Sequence, residues 1–332
     1  RSDRQPLRSS ARNDVHGLRR RNGNGSTPQS SSTTLTTEGA RTNHAAWYEL
    51  PARTTADETI TQTVYPASGS QRNYTMYYDK STYTAYWVAY PLAKGHMGNG
   101  RSDKWQRNPG LAESEQINVW SSSYGVNLGA TTSDGYDSSK EFYARGHQIP
   151  NADRNGSDEL VVQTYYATNS TPQIQNKFNG GIWQQLESGV RNIAATTDTV
   201  YVVTGAILQT AGNHEAITWI TPKSDSKRCP VPNYYYKALL KVRRDASNKV
   251  TSAMTIGFWM EHREYSNDSY TNYATSVAEI ERLTGFPVSI SSPTCLPTFR
   301  PQRSKIRTGT HSHRSKRAKR SPTRQNDTHH SI

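Results

Sequence analysis

"YARGHQIPNADR", residues 143–154, sets His147 between two arginines, Arg145 and Arg154. Imidazole is the side chain whose proton exchanges near neutral pH. Guanidinium is the planar fork that grips phosphate. Gly146, directly before the histidine, lets the backbone approach a ligand closely or adopt an unusual dihedral, and Pro150 fixes the exit from the stretch. Phe142 and Tyr143 precede it and a helical pattern follows, so it reads as a strand end or turn. A single loop histidine is more often structural than chemical, so its meaning depends on the rest of the chain.

On both sides lie runs rich in β-branched and aromatic residues. They are "QTVYP" (62–66), "NYTMYYD" (73–79), "YTAYWVAYPL" (83–92), "VYVVTGAIL" (200–208), "AITWITP" (216–222), "YYYKALLKVRR" (234–244) and "VTSAMTIGFWM" (250–260). Such runs predict strands, and the short turn-rich links between them predict a largely antiparallel sheet. Helical spacing is found at about 158–168, 181–195 and 274–284; the last carries Val277, Ile280 and Leu283 and stops at Gly285. The predicted fold class is α+β, a largely antiparallel central sheet covered by helices.

The chain has 332 residues, a net charge of +13 and only 33% hydrophobic residues. The charge is uneven: residues 1–46 contribute +5 and residues 300–332 contribute +9, which leaves −1 for the body. Basicity therefore belongs to the ends, and phosphate binding by the body must come from the local placement of arginines. The two end segments are polar, without apolar periodicity, and read as disordered. The body, 47–299, has no internal linker and reads as one domain. No run approaches the roughly 18 apolar residues of a membrane span. Two cysteines, Cys229 and Cys295, exclude a four-cysteine zinc site. They form either one disulfide, which would favour an extracytoplasmic compartment, or two buried thiols.

Two further stretches bear on His147. In "TNSTPQIQNKFNGGIWQQLESGVRN", residues 168–192, Asn179-Gly180-Gly181 reads as a turn that opens a helix. On that helix Ile182, Leu186, Val190 and Ile193 form an apolar stripe, and Glu187 and Arg191, four apart, share another face. Read alone, they are a surface ion pair worth about 0.3–0.5 kcal/mol. "GNGRSDKWQRNPGL", residues 98–111, is a Gly-, Asn- and Pro-rich loop that can present Arg101 to a phosphate or leave it solvated.

In this order the three stretches resemble the DNA/RNA non-specific endonucleases of the ββα-metal (His-Me finger) superfamily. The resemblance rests on Arg145-Gly146-His147, Asn169-Ser170-Thr171-Pro172-Gln173, Asn179-Gly180-Gly181-Ile182-Trp183, Glu187 and Arg191, and spans roughly residues 60–288. One position departs from it: Ala144 stands where that family has Asp.

The resemblance implies a nuclease domain over 47–299, a ββα-metal motif and hydrolysis of phosphodiester bonds in DNA and RNA, leaving 5′-phosphate ends. It makes His147 the general base and Asn179 the one direct protein ligand of a divalent cation, Mg²⁺ or alternatively Mn²⁺. Glu187 would orient water around the cation. Arg191 and Arg101 would meet the phosphate, Arg145 would hold the phosphate or the adjoining loop, and Asn169 would steady the site. Asp153 and Arg154 are assigned to loop structure. A non-specific nuclease endangers its producer, so a secreted or cell-envelope location is expected. Whether the chain forms a homodimer stays open. Two other readings also stay open: a catalytically weak nucleic-acid-binding protein of the same fold, and a tyrosine-rich surface or adhesive protein.

Overall fold

Six of the seven strand-forming runs, joined by Ala274–Thr275, assemble into one seven-stranded antiparallel sheet. The computed structural model of the chain describes residues 49–51, 58–69, 72–247 and 249–286. The end segments 1–46 and 300–332 and Cys295 lie outside the described residues. In chain order the strands and α-helices are β1 (Thr59–Val64), β2 (Tyr74–Asp79), β3 (Thr84–Leu92), β4 (Tyr143–His147), α1 (Asp158–Gln163), β5 (Ser170–Ile174), α2 (Gln184–Ala195), β6 (Thr199–Ile207), β7 (Thr218–Ile220), β8 (Cys229–Val231), β9 (Tyr234–Arg244), β10 (Val250–Glu261), β11 (Ala274–Thr275) and α3 (Val277–Thr284). The sheet runs β1-β2-β3-β6-β9-β10-β11. Two small antiparallel ladders, β4 with β5 and β7 with β8, stand outside it.

The central strands are apolar on both faces because both faces are covered. All nine residues of β6 are buried. Val200 and Val202 join the core that holds Leu186 and Val190 of α2, while Tyr201 and Val203 join the core that holds Val277 and Ile280 of α3. Strand alternation thus sends successive side chains to opposite layers, and each fully buried Val or Leu stabilises by about 1.5–3 kcal/mol. Of the stripe expected on α2, Ile182, Leu186 and Val190 are buried and Ile193 is partly so; Ala194 closes the stripe. On α3 the Ser276 side chain accepts from the Glu279 backbone N–H, and Gly285 ends the helix at φ 71°.

Several boundaries differ from those the sequence predicts. Residues 143–147, expected as a strand end or a turn, form a strand, because the backbone of β5 pairs with them. Of 216–222 only Thr218–Ile220 is extended, and it pairs with β8 outside the main sheet. The helix expected over 158–168 ends at Gln163, and α3 starts at Val277 because Ala274 and Thr275 pair with β10. The turn expected at Asn179-Gly180-Gly181 lies inside a π-helical stretch, Gln175–Trp183, with a kink at Gly181 (φ −116°, ψ −114°). A Cβ at Gly181 would approach the Asn176 carbonyl oxygen to 3.0 Å, so the kink favours glycine. Cys229 is a free, buried thiol whose pKa burial pushes up.

Candidate active site

The β4–β5 ladder carries His147, and Asn169 ends the turn directly before β5. His147 lies opposite Ser170, and Gly146 opposite Thr171. A Cβ at Gly146 would sit 2.2 Å from Cδ of Gln173, so only glycine fits between the strand and that side chain. Asn169 is fully buried; its Oδ1 accepts from the Ile149 N–H (3.0 Å), and its Nδ2 donates to the carbonyls of Ile149 (3.0 Å) and Thr164 (2.8 Å). It clamps the loop that leaves His147 onto the turn that follows α1, with about 1 kcal/mol per bond. Arg154, fully buried, donates to the Oδ1 and carbonyl of Asn73 and to the carbonyls of Pro91 and Asp153. Its bonds are structural, in keeping with its assignment to the loop. Ala144 is buried opposite Gln173, so its methyl group stands where the resemblance expects a carboxylate.

His147 is walled by aromatic rings. Trp105 lies 4.8 Å away between ring centres, and Tyr165 meets the imidazole edge-on at 5.0 Å. Nε2 is buried and has no hydrogen-bond partner. Burial, reinforced by Arg145 and Arg101 and opposed by Asp103, lowers the pKa of His147 to about 3. The ring is therefore neutral. Arg145 stacks 4.6 Å over Trp105 and donates to the Val119 carbonyl (3.0 Å). Arg101 is exposed and held by Asp103 through two bonds, Nε to Oδ2 (2.6 Å) and Nη2 to Oδ1 (2.8 Å). Asp103 itself sits at φ 53° and also accepts from the Tyr165 hydroxyl.

A second cluster forms on α2. Arg191 does not bond Glu187; it reaches Asp153 Oδ1 (3.1 Å) and Ser188 Oγ (3.0 Å). Asp153 Oδ2 accepts from the Tyr90 hydroxyl (2.8 Å). Glu187 keeps some surface exposure, yet protein packs densely around its carboxylate. Burial raises its pKa; Lys237 and Arg191 oppose the rise and Asp153 adds to it. The expected surface ion pair is thus a partly buried network anchored to the loop that leaves His147.

Asn179 lies on the π-helical stretch that leads directly from β5 into α2. Its Nδ2 donates to Gln175 Oε1 (3.2 Å), which leaves Oδ1 as an acceptor without a protein donor. Among the described residues, no three His, Cys, Asp or Glu side chains gather as a metal cage. A single free amide oxygen suits a hard cation that keeps most of its water. Arg145 and Arg101 are brought to His147, and Glu187 and Arg191 to one network. Among the described residues no hydrogen bond joins His147 to Asn179 or to Glu187.

Sequence reasoning missed three residues. Asp153, set aside as loop structure, holds Arg191. Trp105 packs against His147 at a tilt and lies under Arg145. Lys237 is the largest counter-charge at Glu187. Only Lys237 left a trace in the sequence, as a lone charge within the aromatic and apolar run "YYYKALL".

The chain is 23% identical over 215 residues to "Nuclease 1, mitochondrial" of Schizosaccharomyces pombe, covering 64% of this chain and 61% of that protein. It is 24% identical over 234 residues to "Nuclease EXOG, mitochondrial" of Danio rerio, covering 66% and 61%. It thus spans less than two thirds of the length of these curated relatives. A crystal structure described as the EndoG/EndoGI complex aligns with a TM-score of 0.49 and 18% identity, over 70% of this chain and 87% of the other. The expected secreted or cell-envelope location is overturned, because these two relatives are named as mitochondrial nucleases. The profile of the DNA/RNA non-specific endonuclease family matches residues 56–294, most of the chain, and the chain belongs to that family.

Proposed function

We propose that the chain is a Mg²⁺-dependent, sequence-non-specific endonuclease that hydrolyses phosphodiester bonds in DNA and RNA and leaves 5′-phosphate ends. The observation that carries this reading is His147: a neutral imidazole with an unpartnered Nε2, flanked by two arginines within a rigid frame. The imidazole accepts the proton of the attacking water. Arg145 and Arg101 meet phosphate oxygens, and Arg191 favours the charge that builds in the transition state. Glu187 orients water at the mouth of the site. Asn179 Oδ1 would hold the cation, which when bound supplies charge neutralisation at the phosphate and at the departing oxygen. Asn169 positions the loop that carries the base.

A base with a pKa near 3 is weak; burial is the largest cause, and substrate binding would relieve the part that comes from the arginines. The two arginines that depress His147 are the groups that a phosphate would neutralise, and the phosphate adds its own negative charge beside the ring. Both changes raise the imidazole pKa toward the working pH, where general-base catalysis is most effective. Recognition through phosphate alone carries no direct base information, which accounts for acceptance of both DNA and RNA.

The test is cleavage of supercoiled plasmid and of a folded RNA with Mg²⁺ or with EDTA, followed by analysis of the 5′ ends. Cleavage of both substrates that stops in EDTA and yields 5′-phosphates is expected. No cleavage with Mg²⁺, or cleavage unaffected by EDTA, overturns the reading.

A further inference from the structure

β9 carries a lysine where the sheet is otherwise apolar. Alternation sends Tyr235, Lys237 and Leu239 to the same face, and Tyr235 and Leu239 lie in the core that also holds Leu186 and Val190 of α2. Lys237 is 1% exposed. Its Nζ donates to Oγ1 of Thr204, its register partner on β6, at 3.1 Å, and lies 4.8 Å from the centre of the Trp183 ring. A hydroxyl and a π-face ease the burial of an ammonium but do not balance its charge. The balancing charges come from two other elements: Glu187 on α2 and Asp153 on the turn after His147. Arg191, on α2 and bridged to Asp153, completes a set of two cations and two anions. Tyr90 on β3 and Thr204 on β6 supply the neutral hydrogen bonds.

Asp153 already has a direct cationic partner in Arg191 and a hydroxyl donor in Tyr90. Glu187 has no ion pair of its own among the described residues, and Lys237 is the strongest positive influence on it. We infer that Lys237 is a positioning residue, whose ammonium, set against the Trp183 ring one helical turn before Glu187, favours the charged form of the Glu187 carboxylate and holds it beside the site. The inference rests on the reading of Glu187 as an active-site carboxylate. The direction of the pKa changes agrees: burial raises Glu187, Lys237 holds it down, and burial lowers Lys237. Without the ammonium, Glu187 would retain its proton to higher pH.

The coupling is read first in the unmodified full chain, by titrating the Glu187 side-chain carboxyl carbon and the Lys237 Nζ by NMR without nucleic acid or metal. Interacting sites share their titration steps, so the Lys237 signal is expected to inflect at the Glu187 midpoint. Lys237→Met is expected to move that midpoint up by about one pH unit or more and to lower plasmid nicking at pH 7 about tenfold or more, with partial recovery at higher pH. Lys237→Arg should restore the midpoint. A merely structural lysine would change the melting temperature without moving the midpoint or the pH–rate profile. Independent titration of the two groups in the unmodified chain overturns the inference, even if Lys237→Met does not fold. An unmodified chain that cuts no nucleic acid while both signals titrate together would sink the nuclease reading and leave the coupling intact.

Discussion

Around His147 the chain removes partners; around Glu187 it supplies them. The imidazole has aromatic walls, an orphaned Nε2 and two nearby cations, and these hold it neutral. The carboxylate has Lys237 beneath it and Arg191 one turn along its own helix, which favour its charged form against burial. A proton acceptor must be uncharged before it acts, and desolvation ensures that. A carboxylate that orders water acts in its charged form, and in a dense surrounding counter-charges offset part of the burial that opposes it. The two corners lie on β4 and α2, joined by Asp153 on the turn that leaves His147 and by the bridge from Asp153 to Arg191.

The strongest test of this contrast is His147→Ala. Plasmid nicking should fall roughly a hundredfold or more, the usual range for loss of a general base, and cleavage at the normal rate would refute the assignment. Asn179→Ala comes next. The Mg²⁺ concentration for half-maximal nicking should rise on the order of tenfold or more, since even supporting contacts to a metal site are worth that much; an unchanged Mg²⁺ titration would remove Asn179 from the site.

The two corners should also respond to pH with opposite signs. The folded-state pKa of His147 lies at about 3 and that of His262, also buried, at about 4, both below the ordinary value of 6.5. The unfolded chain therefore binds more protons than the native one over the range from 6.5 down to those values. Stability is present above pH 6.5 and falls as the solution is acidified. At roughly 1.4 kcal/mol per pKa unit the loss is a few kcal/mol. Glu187 acts in reverse. Its folded pKa is raised from 4.5 to about 7, so its contribution is greatest below pH 4.5 and declines as pH climbs through 7. Urea unfolding of the unmodified chain, His147→Ala and Glu187→Gln at pH 4.5 and pH 7.5 should show the histidine variant flattening the acid side and the glutamine variant flattening the other. Equal pH slopes in all three would break the comparison.

The smallest effect is expected at Arg101, which is exposed and already engaged by Asp103. Arg101→Ala should raise KM a few-fold at low salt and reduce the salt slope of binding by about one. An unchanged salt slope would mean that Arg101 never leaves Asp103 for the substrate.

Much of the frame is legible in the sequence because propensity and burial agree there. β2, β3, β6, β9 and β10 are long runs of β-branched and aromatic residues, and α2 and α3 carry clear apolar stripes. β5 is the opposite case. "STPQI" has little strand preference, yet all five residues are buried and extended because β4 pairs with them. Its Pro172 is tolerated because a two-stranded ladder leaves outward N–H positions free. The π-helical stretch was hidden for a similar reason, since Asn-Gly-Gly gives the same turn signal inside a kinked helix as in a loop. His147, Asn169, Asn179 and Glu187 could be named from the order of their motifs. Asp153 and Lys237 could not, because their meaning comes from a contact network between elements far apart in sequence.

The joint at Gly181 gives the site a rotational phase. Asn179 lies before the break and Glu187 after it, so their relative azimuth is set by the kink together with the residues wound beyond it. An α-helix advances about 100° per residue. One residue inserted or deleted between Trp183 and Glu187 would therefore swing the carboxylate to another side of the coil while leaving composition and charge almost unchanged. The number of residues in this stretch therefore bears on the site as directly as their identity.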